Sequence, residues 1–117
     1  MTGFLARLRA ANQSRQEDWM SDGKPDLLYD ATELAGEAGE LCNIAKKLER
    51  EARGMPGSRV SPEAFAEECA DVLICLDKLA AHYGVDLEAA TTAKFDATSE
   101  KFGFLQRLGR PRYVDGR

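Results

Sequence analysis

The chain is poor in the residues that mark several common protein classes. It has one histidine and three cysteines, Cys42, Cys69 and Cys75. An odd cysteine count without CxxC spacing leaves one thiol unpaired in any disulfide scheme, and argues against a stapled framework or a zinc site. The three thiols read as small core residues instead. No apolar run approaches the ~18 residues of a membrane span, and Met1 to Ala10 lacks the apolar core of a secretory leader. The expectation is a cytoplasmic protein with no membrane partner. Basic residues are too few for a general nucleic-acid binder: 16 Lys and Arg stand against 20 Asp and Glu, a net charge of −4. Strand signals are missing too, since no useful stretch alternates apolar and polar residues. Of only four prolines, Pro25, Pro56 and Pro62 fall between periodic segments.

What remains is a helical chain of 117 residues, one domain's worth. A first helix is expected from about Gly3 to Trp19, with Phe4, Leu5, Leu8 and Ala11 on its apolar stripe. A turn follows at Met20–Pro25. The second helix, opening at Pro25 or Asp26, carries Leu27, Ala31, Leu34, Ala38, Leu41, Ala45 and Leu48 at spacings of three and four, one continuous buried face. The third is capped by Ser61 with Pro62 in its first turn and stops at Gly84. Val72 to Leu76 are consecutive apolar residues, so this helix is apolar nearly all round, which points to a second subunit, with a central helix in a monomeric bundle as the alternative. His82, near its end, reads as a surface or capping residue. The fourth helix is capped by Asp86 and carries Leu87, Ala90, Lys94, Phe95, Thr98 and Phe102 on one side. Residues 1–102 thus read as a single helical domain, and 103–117 as a basic tail without a clear period.

Charge is unevenly spread. Between Asp26 and Asp71 there are eleven acids and five bases, whereas from Lys101 to Arg117 there are five bases and one acid. On the second helix Glu33, Glu37 and Glu40 fall within about 60° of one another, beside the apolar stripe. On the third, Glu68 and Asp71 are three apart at the edge of theirs. Like charges at such spacings destabilise a helix by a few tenths of a kcal/mol. Glu33 and Glu37 have no basic residue four positions on, because those places hold Glu37 and Leu41. A divalent cation between facing acidic rows removes the conflict, and an all-oxygen donor set selects magnesium, with manganese as a substitute. A plain solvated acidic face is the alternative reading.

The segment Leu34-Ala-Gly-Glu37-Ala-Gly-Glu40-Leu, followed by Glu67-Glu68-Cys-Ala-Asp71-Val-Leu-Ile, resembles the MazG-like all-α nucleoside triphosphate pyrophosphohydrolases, related to the dimeric dUTPase and dCTP pyrophosphatase superfamily. Their signature is ExxE, a spacer, then ExxD; here twenty-seven residues separate Glu40 from Glu68. The resemblance runs on through Gly84-Val-Asp-Leu-Glu88 and Lys94-Phe-Asp-Ala-Thr-Ser-Glu-Lys101 and covers about Trp19 to Phe102. It implies an antiparallel bundle of four to five helices completed by oligomerisation, as a homodimer or homotetramer. It implies magnesium held by Glu37, Glu40, Glu68 and Asp71, and cleavage of a nucleoside triphosphate to the monophosphate and pyrophosphate in nucleotide-pool house-cleaning. Glu33, one turn before the motif, would orient or deprotonate the attacking water, making Glu33, Glu37 and Glu40 the catalytic candidates. In the family a lysine at the place of Lys94 contacts the phosphates, often with an asparagine four residues later; Thr98 stands there in this chain, and Asp96 is two after the lysine. Lys94, Asp96 and Trp19 are the substrate-binding candidates, Trp19 as a wall for the base beside Asn12 and Arg15. Trp19 as core, and Lys94 paired with an acid of the motif, are the structural alternatives.

Two other functional classes stand beside this one. A di-iron carboxylate bundle needs Glu-x-x-His pairs, and the single histidine, His82, follows no glutamate at that spacing. A non-catalytic nucleotide-binding or oligomerisation module with the same fold would bind without turnover.

Overall fold

The computed structural model describes residues 3–20 and 26–109. The expected turn after Met20 and the tail from residue 110 lie outside them. The described chain forms four helices, α1 (Phe4–Trp19), α2 (Leu27–Ala52), α3 (Pro62–Ala81) and α4 (Leu87–Phe102), and no strand. The all-α expectation holds. None of these helices is long and apolar enough to cross a membrane.

Local chemistry sets the helix ends. The side chains of Asp26, Ser61 and Asp86 accept hydrogen bonds from the N–H groups of Tyr29, Ala64 and Ala89, capping three N-termini. α2 ends where Met55 N–H reaches back to the Arg50 carbonyl (3.0 Å), with Gly54 left-handed between them. In the α2–α3 loop the Arg50 guanidinium lies across Gly57, where an added Cβ would come within 2.5 Å of it, and donates to the Ser58 carbonyl. The loop's far end is tied by Val60 N–H to the Glu51 carboxylate (2.6 Å).

Two compact units emerge, one ending at Tyr83 and the other beginning at Gly84. In the first, α3 is central and packs against both α2 and α1. Contacts that pair rising α2 numbers with falling α3 numbers, Asp30 with His82, Glu33 with Lys78 and Glu40 with Glu68, make these two helices antiparallel. In the second unit the chain turns back after Gly103, whose φ of 74° allows the helix-ending bond from Phe104 N–H to the Ser99 carbonyl (2.8 Å).

The interior is unusual in kind. Of the described residues, Asn12, Asp30, Cys75, Asp77 and Ser99 are buried, and only Cys75 is apolar. The expected α1 stripe is corrected accordingly. Ala11 is exposed and Phe4 is 61% exposed, while Asn12 is the residue driven inward. Asp77 explains this: its carboxylate accepts from Arg9 Nε and Asn12 Nδ2, both at 3.0 Å, and Asn12 Nδ2 also donates to the Ile74 carbonyl at 3.3 Å. A buried carboxylate is tolerated only when so paired. The cysteines, expected as core, divide: Cys75 is buried, Cys42 and Cys69 are exposed.

Candidate active and metal site

The α2–α3 seam is polar along one edge. From one end to the other, the α2 acids Asp30, Glu33, Glu37 and Glu40 face His82, Lys78, Asp71 and Glu68. The seam changes character midway. Asp30, only 1% exposed, meets His82 Nε2 at 2.7 Å, so the histidine has a buried partner and is no mere surface group. Glu33 is ion-paired with Lys78. Burial works against the charge on Lys78, but the hydrogen bond and charge of Glu33 outweigh it and raise its pKa. At Glu37 and Glu40 no base arrives among the described residues, and acid faces acid.

There Glu37, Glu40 and Glu68 bring one carboxylate oxygen each within 4.8 Å of one another. Asp71 does not offer an oxygen inside that trio, but its charge acts on Glu37. The Glu37 carboxyl is pushed from 4.5 up to about 7, first by burial, then by its hydrogen bond to Glu40 and the charges of Asp71, Glu40 and Glu68. Oxygen Oε2 of Glu68 is buried without a hydrogen-bond partner. Hard oxygen donors, mutual repulsion and an unpartnered carboxylate oxygen together fit a divalent cation of the magnesium type.

A pocket of about 160 Å³ opens against this cluster, with Glu37 and Asp71 in its lining. α1 contributes Asn12, Arg15, Gln16 and Trp19; α2 adds Tyr29 and Glu33; α3 adds Ile74, Cys75 and Lys78. Trp19 is 74% exposed with Arg15 over its ring (5.9 Å), so it is a wall of the pocket mouth and not a core residue. Burial and the neighbouring Glu33 carboxylate raise the Cys75 thiol to about 11, which keeps it protonated and unreactive.

The structure therefore brings Glu33, Glu37, Asp71 and Trp19 to one cavity and joins Glu37 to Glu40 and Glu68. Lys94 and Asp96 belong to the second unit. Lys94, expected on a buried side, is exposed there and lines a groove with Phe95, Thr98 and Phe104. Asp96 is occupied within its own unit. Its carboxylate accepts from Leu108 N–H (2.7 Å) and Gly109 N–H (3.0 Å), holding the first residues of the expected tail against α4. The sequence pattern does not single out Lys78. Its one signal is position, two turns beyond Asp71 on the same face.

Two curated proteins are similar to this chain over most of its length, and both carry the same name. The dCTP pyrophosphatase 1 of Mus musculus is 34% identical over 111 residues, and that of Rattus norvegicus 33% identical over 107. Each match covers 90% of this chain and 62% of the relative, so the chain spans less than two thirds of the proteins it matches. No family model matches, and no solved structure matches. In general terms, the likeness is to pyrophosphatases that act on a nucleotide.

Proposed function

We propose that the chain is a magnesium-dependent nucleoside triphosphate pyrophosphohydrolase of the MazG-like type, which converts its substrate to the monophosphate and pyrophosphate. The observation that carries this reading is the junction of two features. A cluster of carboxylates, faced by no base among the described residues, opens directly into a small pocket with an aromatic mouth. The similarity to dCTP pyrophosphatase 1 supports the reaction class and makes dCTP the first substrate to try.

Glu37, Glu40 and Glu68, with Asp71 beside them, would hold the cation. When bound, magnesium would neutralise the triphosphate and acidify a coordinated water. The chain's own groups do the rest. Glu33, fixed in place by Lys78, accepts a hydrogen bond from the water and orients it toward phosphorus. The water oxygen bonds to the α-phosphorus as the bond from that phosphorus to the departing pyrophosphate oxygen breaks, and the water's proton passes to the Glu33 carboxylate. Trp19 and Tyr29 flank the base.

Assembly belongs to the same proposal. With a single buried apolar residue among those described, and Phe65, Leu73 and Leu76 of α3 each more than a third exposed, the protomer is incomplete alone. A homodimer or homotetramer covers these faces. The cellular setting that fits is nucleotide house-cleaning in the cytoplasm.

The test is pyrophosphate release from the common ribo- and deoxynucleoside triphosphates plus dUTP, with magnesium, with manganese and with chelator, beside Glu40→Gln. The reading expects metal-dependent release that disappears in the variant. Nucleotide binding without turnover of any triphosphate would replace it with a non-catalytic binding module.

A further inference from the structure

Several of the pocket's polar groups are committed to one another. Asn12 Nδ2 serves Asp77 and the Ile74 carbonyl. Lys78 serves Glu33. Arg15 sits over the Trp19 ring. Glu37 and Asp71 belong to the acidic cluster. Among the lining donors of the described residues, the side-chain nitrogen Nε2 of Gln16 stands out as buried without a hydrogen-bond partner. Gln16 is one helical turn beyond Asn12, on the α1 face that lines the cavity. An unpaired amide N–H shielded from water is a cost that a ligand acceptor removes, and a site built to hydrogen-bond its ligand discriminates against one that cannot reply.

We infer that Gln16 is the specificity-determining residue of the pocket, donating its amide N–H to an acceptor on the edge of a nucleobase, a ring nitrogen or carbonyl oxygen. This rests on the proposed nucleotide reading and deepens it. The pocket, about 160 Å³, is well below the ~300–1,000 Å³ of sites that enclose a drug-sized ligand. It admits a flat heterocycle beside Gln16 and directs the sugar and phosphates toward the side lined by Glu37 and Asp71. Trp19 at the mouth supplies stacking that every base shares, so it adds affinity without choice. Choice falls to the uncommitted donor.

The experiment measures binding of dAMP, dGMP, dCMP and dTMP to the full chain by calorimetry, and kcat/KM for the four matching triphosphates with magnesium, for wild type, Gln16→Leu, Gln16→Met and Gln16→Glu. The wild type is expected to separate its best and worst bases by roughly tenfold or more. Gln16→Leu and Gln16→Met should reduce that ratio toward one, lowering the favoured base about ten- to a hundredfold. Gln16→Glu, which offers an acceptor in place of the donor, should reorder the bases. Two apolar variants of similar length guard against a folding defect in either. An unchanged ranking in both overturns the assignment, and so does a wild type that binds no base better than another. Turnover with an unchanged ranking overturns this inference alone. A ranking in monophosphate binding that collapses in the variants without any hydrolysis by the wild type overturns the catalytic reading and leaves Gln16 in its role.

Discussion

Neutralising Glu37 should stabilise the metal-free protein, and only at the alkaline end of its range. Its carboxyl is held at about 7 in the folded chain against 4.5 for the free group. Below pH 4.5 the folded and unfolded chains both hold the proton and Glu37 costs nothing. As pH rises through the window to about 7 the unfolded chain releases its proton first, so the folded state loses stability, and the loss is complete above that window. The full difference corresponds to at most ~3 kcal/mol. Solvent at the exposed Glu40 screens part of it, leaving about 1–2 kcal/mol. Glu37→Gln removes the charge with little change of shape. In chelator at pH 8 the variant should melt roughly 4–8 °C above wild type, and the gap should close by pH 5. Magnesium should reverse the order, because wild type gains binding energy that the variant lacks. The assay is thermal unfolding by circular dichroism across this grid. A gap of the same size at pH 5 and pH 8 would assign the effect to packing, and no gap at pH 8 would refute crowded carboxylates as the basis of the site.

The seam and the second unit carry three more expected outcomes. Lys78→Met should destabilise the chain by about 2–3 kcal/mol in urea titrations by stranding Glu33, and adding Glu33→Gln should recover part of that loss; strict additivity would show that the pair is not coupled. Asp77→Ala leaves Arg9 and Asn12 without this carboxylate and should cost about 3 kcal/mol in the same titrations, more than Glu49→Ala, which removes the exposed pair with Arg53 and should cost under ~1 kcal/mol. Asp96→Ala should free the segment after Gly103, seen as faster hydrogen exchange at the Leu108 and Gly109 amides with those inside α4 unchanged.

The helices are legible in the sequence because their signals are local. Ser61 and Asp86 cap as spaced, and Gly103 ends α4, while Asp26, expected only at the start of the second helix, is its cap. The acidic rows are legible for the same reason, since spacings of three and four put Glu37 with Glu40, and Glu68 with Asp71, on one face each. The inner face of α1 is not, because a hydrophobic period cannot see a buried polar face. Arg9 and Asn12 turn inward because Asp77, 65 residues from Asn12, supplies the acceptor, and Gln16 follows one turn later on the same face. Glu33 lacks a partner within its own helix and finds one across the seam, in a register that no single-helix pattern encodes. Asp96 resembles a ligand contact in the sequence because the loop that consumes its carboxylate has no period of its own.

The Asn12–Asp77 contact also has a mechanical meaning. It ties α1 to α3 by two acceptors at once, the Asp77 carboxylate and the Ile74 carbonyl, which sets the register of the two helices there. Gln16 and Trp19 lie beyond the pin, the latter by seven residues, roughly 10 Å. The pocket wall that α1 supplies is therefore positioned from the pin. Changes at Arg9 or Asp77, neither of which lines the pocket, would thus reach its wall through α1.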